Sequence, residues 1–175
     1  MRALSRTAFA VAVSGTVLFA ASCGGGTTGS GEGATEDPAS SLGQVDPCTM
    51  LSPEDLAAFG LRGPGEPDDN GASEPGCYFP GDPISGTFFK NQEMTVATYG
   101  DKPGIWEKYD RSQVDGRAAA SGIATGAAEA GVCSTLFDAG GGVIILTVSN
   151  KGDSSIDACA EGMKIAEKIA PKLPR

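Results

Sequence analysis

Five cysteines and a scatter of carboxylates are the reactive side chains of this 175-residue sequence, and histidine, the usual partner of both, is absent. Without imidazole there is no Ser-His-Asp or Cys-His nucleophile, no imidazole metal ligand and no histidine pH switch. An enzyme built from this chain would have to work through carboxylates, lysine or a metal held by oxygen. Glu66, Asp68, Asp69, Asp101 and Glu107 are the candidate acids and bases. The acids of residues 62–76 stand among Pro64, Pro67 and Pro75, and their spacing is not that of a twelve-residue calcium loop, so a solvated acidic loop is expected. No G-x-S-x-G, S-x-x-K or phosphate loop occurs. Gly24, Gly26 and Gly29 satisfy G-x-G-x-x-G, but no strand precedes them and no helix follows, which removes the nucleotide-binding meaning. Neither a metal nor an organic cofactor is expected.

Cys23 divides the chain. Residues 1–22 have a basic start at Arg2 and Arg6, an apolar run over about 8–21 interrupted by Ser14 and Gly15, and small residues before the cysteine. This is the layout of a secretory signal, too short in its apolar part to span a bilayer. The small residues before Cys23 resemble the lipobox of bacterial lipoproteins, in which the thiol takes a diacylglyceryl group and becomes the first residue after cleavage. Ala20 stands where leucine is usual, with Leu18 two places earlier. A diacylglyceryl group supplies the two chains that stable anchoring needs. Charge offers no other route to a membrane, because the net charge is -9 and both basic residues of the signal lie before Cys23. The same charge disfavours nucleic acid as a partner.

Residues 23–45 are mostly Gly, Ser, Thr, Glu and Pro, too poor in apolar side chains to offset ordering entropy, and read as a disordered tether. Residues 46–175 then read as one extracytoplasmic domain. Ser52 as N-cap, Pro53 in the first helical position and the acids Glu54 and Asp55 start a short helix that Gly60 ends. Residues 76–79 and 94–99 read as strands, with Phe88 and Phe89 near a pairing partner, and Trp106 and Tyr109 at helical spacing suggest a short helix over 101–112. With Tyr78, those two rings are the candidate wall of a ligand pocket, although aromatic side chains at that spacing also suit a core. Residues 114–130 are Ala- and Gly-rich and only a strand near 117–120 fits them. Residues 132–137 and 143–149 make a hairpin over a glycine turn, and Val143-Ile144-Ile145-Leu146, apolar on both faces, belongs at the centre of a sheet. The best helical pattern runs over 153–170, with Ile156, Cys159, Met163, Ala166 and Ile169 or Ala170 on one face. The order of elements predicts an α+β domain: a mostly antiparallel sheet, a long C-terminal helix packed on it, and a short N-terminal helix.

With Cys23 lipidated, Cys48, Cys77, Cys133 and Cys159 remain, an even number in an exported domain, and two disulfides are expected. No C-x-x-C spacing supports zinc or a redox couple. Of the three possible pairings, Cys48 with Cys77 and Cys133 with Cys159 are favoured, the first tying the opening helix arm to a strand and the second tying the hairpin to the helix on it.

The Asp-Pro-Cys opening at 46–48, the Gly76-Cys77 motif with an aromatic residue beside it, the glycine-turn hairpin beginning near Cys133 and the C-terminal helix with Cys159 together carry a resemblance. The sequence resembles a family of small actinobacterial lipoproteins built around one two-disulfide domain (domain of unknown function 3558), over about residues 46–174. The resemblance implies attachment to the membrane through lipid but supplies no catalytic or binding residue. The function expected is therefore an extracytoplasmic, lipid-anchored envelope protein that binds a small envelope molecule or a protein. A carboxylate enzyme, or a sensor domain modulating a neighbour, is the alternative.

Overall fold

The computed structural model describes residues 41–68 and 74–175. The expected signal, Cys23, most of the tether and Asp69 lie outside them. The frame is a seven-stranded sheet of β1 (Glu66–Asp68), β2 (Gly76–Phe79), β3 (Ser85–Asn91), β4 (Trp106–Val114), β5 (Arg117–Ala124), β6 (Val132–Ala139) and β7 (Gly142–Ser149). Its order is β1-β2-β3-β7-β6-β5-β4, with every pairing antiparallel. Helices α1 (Pro53–Ala58), α2 (Val96–Gly100) and α3 (Ala158–Ile169) complete an α+β fold.

β7 holds the central place, between β3 and β6, and its residues Val143 to Leu146 are buried on both faces as their apolar run predicts. The β6–β7 turn is Gly140-Gly141, both at positive φ, which a two-residue hairpin of this hand requires. One face of the sheet carries Phe88, Phe137, Ile144, Leu146 and Val148 into the larger core, closed by α1 and α3. The other face carries Leu136, Val143 and Ile145 into a smaller core closed by Val96 and Tyr99 of α2.

The C-terminal helix is shorter than its periodicity suggests, twelve residues followed by a 3-10 turn at Ala170–Lys172. The carboxylate of Asp157 accepts from the N–H groups of Cys159 and Ala160, so the helix begins there, and residues 150–156 are spent on turns held by Asn150 and Asp153. Ala158, Gly162, Ile165, Ala166 and Ile169 form its buried face. Gly162 is needed for space: a methyl group there would meet Thr135 Oγ1 of β6 at 2.5 Å.

Three expectations are corrected. Residues 94–99 alternate like a strand but form the cap and first turns of α2, because Thr95 and Thr98 make a reciprocal capping box and Asp138 of β6 accepts from the N–H of Val96. Residues 101–112 contain no helix; Trp106 and Tyr109 stand in β4. They share a face at a spacing of three because a bulge between Trp106 and Lys108 inserts a residue into the strand. Within the expected loop 62–76, residues 66–68 pair with β2 as an edge strand. In the unplaced stretch 114–130, β5 extends the expected strand at 117–120, entered by a turn at Asp115-Gly116 with both residues at positive φ.

The folded domain also begins before residue 46. Leu42 is fully buried, its N–H donates to Gly140 O, and the Lys90 ammonium donates to the carbonyls of Gly43 (2.8 Å) and Val45 (2.5 Å). The cysteines are joined Cys48–Cys77 and Cys133–Cys159.

Candidate functional site

α1 starts as its residues dictate: the Ser52 hydroxyl accepts from the N–H of Asp55 at 3.1 Å and Pro53 takes the first helical position. It ends after six residues, because Gly60 at φ +71° turns the chain and the N–H of Leu61 donates back to Leu56 O at 2.8 Å. Residues 61–65 then run beside α1, held to the sheet side by the Leu61 bridge to Gly81 and by the N–H of Arg62 donating to Pro80 O at 2.7 Å. The opposite wall is residues 48–51, fixed by the Cys48–Cys77 bond and by Asp46, whose carboxylate accepts from the N–H of Cys48.

Between these walls lies a groove of about 860 Å³. Leu51, Leu56 and Leu61, all core residues, form its inner side, and Pro53, Ala57 and Pro64 stand around it. That volume is in the range of small-molecule sites, which are mostly apolar with a few placed polar groups. The polar groups here are few. Thr49 Oγ1 donates to Asp46 O, Ser52 accepts from α1, and among the described residues Arg62 is the only charged one lining the groove. α1 is in turn fastened from its far side. Asp55 receives Lys172 Nζ at 2.8 Å and Lys168 Nζ at 3.1 Å, and these ammonium groups, Lys172 first, hold its carboxyl well below the usual carboxylate range.

The family model described as protein of unknown function (DUF3558) matches residues 12–172. The chain belongs to the DUF3558 family. No curated protein and no solved structure matches it.

In this DUF3558 domain the expected pocket of Tyr78, Trp106 and Tyr109 does not form. Trp106 and Tyr109 pack together at 5.1 Å on Gly122, where a methyl group would meet the indole at 2.6 Å. Their polar atoms are spent on α2: Trp106 Nε1 donates to Tyr99 O (2.8 Å) and Tyr109 Oη donates to Val96 O (2.6 Å). The pair clamps the helix to the sheet, and burial pushes the Tyr109 phenol up. Tyr78 stands exposed on β2, with β3, β7, β6 and β5 between it and β4. Beneath α2, Tyr99 donates to Glu74 Oε1, and the Asn91 amide donates to the same oxygen at 2.7 Å. Burial, with Glu74 second, raises the Tyr99 phenol far above its ordinary range, so it is a neutral donor pinning the chain ahead of β2.

The four candidate acids among the described residues are not brought together at one site. Glu66 and Asp68 lie on β1 at one edge of the sheet; Glu107 is on β4 at the other, and Asp101 is beside it in an exposed ion pair with Arg111. Among the described residues no three Cys, Asp or Glu side chains come together as a metal site.

Sequence reasoning missed the groove. Its residues read as the end of one helix and the start of a loop, and the only local signal was Leu61, a single apolar side chain among Gly, Pro and acids.

Proposed function

We propose that this DUF3558 protein is an exported, lipid-anchored cell-envelope protein of the small actinobacterial lipoprotein kind. Its domain works as a binding module, holding a small ligand with an apolar body in the groove between α1 and residues 61–65. The observation that carries the binding reading is the groove itself: about 860 Å³ bounded by leucines, with one hydroxyl bonded to Asp46 O, one capping α1, and one cation at its lining. Such a surface can bind and orient an apolar molecule, and among the described residues no carboxylate, lysine or free thiol lines it. Location rests on residues 1–22 and Cys23. No helix among the described residues is long and apolar enough to cross a membrane, and the acidic charge would be repelled by an anionic surface, which leaves the acylated Cys23 as the proposed attachment.

Native mass spectrometry of the protein recovered from its own envelope tests the binding reading. A bound small-molecule mass is expected, and Ala57→Trp, which fills the groove from the exposed side of α1, is expected to remove it. The same mass in the variant, or none in the parent protein, counts against the groove. Cys23→Ala is expected to release the protein into the medium, and retention in the membrane fraction would refute the anchor.

A further inference from the structure

Acids outnumber bases 22 to 13 in this chain, so a cation without a partner is unexpected. Arg2 and Arg6 lie outside the described residues. Of the others, Lys108, Arg111, Lys164, Lys168, Lys172 and Arg175 are held by carboxylates. Lys90, Arg117 and Lys151 donate to backbone carbonyls, and Lys102 lies over the Tyr99 ring. Among the cations of the described residues Arg62, an exposed side chain, is the one whose charged group has no hydrogen bond, ion pair or ring contact, and it is the one that lines the apolar groove.

Its position is built. The main chain at Arg62 is fixed by its N–H bond to Pro80 and by the neighbouring Leu61–Gly81 bridge, so the exposed side chain starts from a fixed point on the groove's lining. Among the described residues no carboxylate lines the groove to neutralise it. An apolar cleft with one unspent guanidinium and no lining carboxylate among the described residues matches a molecule with an apolar body and one negative group, and it disfavours cations.

We propose that the occupant of the groove is an anionic amphiphile with one acyl chain, the chain against Leu51, Leu56 and Leu61 and the anionic head on Arg62. This rests on the groove being the binding site. The diacylglyceryl group of Cys23 is neutral and does not satisfy Arg62, so the ligand is a separate molecule.

The test uses the full chain, exported with Cys23→Ala so that it carries no acyl group of its own, titrated by calorimetry with dodecanoate below its micellar concentration and with dodecanol below its solubility limit. Arg62→Gln and Ala57→Trp are compared, with thermal melting to show that each folds. The acid is expected to bind about fivefold tighter than the alcohol, the contribution of a partly exposed ion pair. Arg62→Gln should erase that difference, Arg62→Lys should restore part of it, and Ala57→Trp should abolish binding of both. Equal affinities in the parent chain, or a preference that survives Arg62→Gln, overturn the anionic head while leaving the groove as the site. Binding that Ala57→Trp does not disturb removes the groove itself, and absence of binding by both probes overturns the amphiphile.

Discussion

Arg117 offers the sharpest test of how this fold is closed. It sits at the start of β5 with its side chain only 6% exposed, and its guanidinium donates to Pro174 O at 2.5 Å and to Ala170 O and Leu173 O at 2.8 Å. Those carbonyls end α3 and its 3-10 turn, where a helix leaves acceptors without intrahelical partners and favours a cation. Replacing Arg117 with Met keeps most of the apolar stem and removes the charge. Each bond to a charged donor contributes roughly 1.5–3 kcal/mol, and the three are not additive because the freed carbonyls at the chain end regain some water. The net loss expected is about 3 kcal/mol, or a drop of roughly 10 °C in melting temperature for a domain of this size. Asp115 softens the loss. It lies 3.6 Å from Arg117 Nε but also receives Arg175 at 2.9 Å, so it is not left unpaired. Arg117→Lys, which keeps the charge and loses the fork, should recover about half. Thermal melting by circular dichroism reads the loss, and amide exchange locates it: residues 165–173 should exchange faster while the β6–β7 hairpin stays protected. Melting of Arg117→Met within about 2 °C of the parent, or faster exchange spread evenly over the sheet, would refute the clamp.

Other substitutions probe separate parts. Gly162→Ala should destabilise by about 1–2 kcal/mol in urea, although alanine is the better helix former, because its methyl group would meet the stiff, β-branched Thr135 at 2.5 Å. Adding Thr135→Ala should recover part of the loss. Asp55 titrates below its ordinary value of 3.8 in the fold, so the stability it contributes is complete above that value and is lost as pH falls through it toward the native one. Urea midpoints taken from pH 6 down to pH 2.5 should therefore fall less steeply in Asp55→Asn than in the parent protein. Replacing Cys133 and Cys159 together by Ser opens a loop of 26 residues and should lower the unfolding free energy by about 3.5 kcal/mol, read from the urea midpoint.

Legibility followed the range of the interactions. The start of α1 was readable because Ser52, Pro53, Glu54 and Asp55 act on the next few backbone groups, and the β6–β7 hairpin because its glycines satisfy a turn within the same short segment. The turn at Asp115-Gly116 likewise marks the start of β5, although the Ala- and Gly-rich stretch after it shows no period that would give the strand's full length. The C-terminal helix was found with the wrong start, since Asp153 and Asp157 are both plausible caps locally and only the bonds of Asp157 decide between them. α2 was misread because a five-residue helix shows too little of its period, and β4 because a bulge places Trp106 and Tyr109 on one face at a helix-like spacing. The candidate aromatic pocket failed with it.

The sequence by itself determined the signal-like start and Cys23, the lack of imidazole chemistry, the even set of four further cysteines and the mostly antiparallel α+β class, since each depends on residue type or on periodicity within one segment. Tertiary structure alone decided that Arg117 closes α3 from 53 residues away, that α2 rather than a strand covers the second face of the sheet, and that residues 48–65 fold into a groove. It also decided that, among the described residues, the Arg62 guanidinium has no partner in a chain rich in acids. A charge is paired or unpaired by what packs around it, and no reading of its sequence neighbours can count those groups.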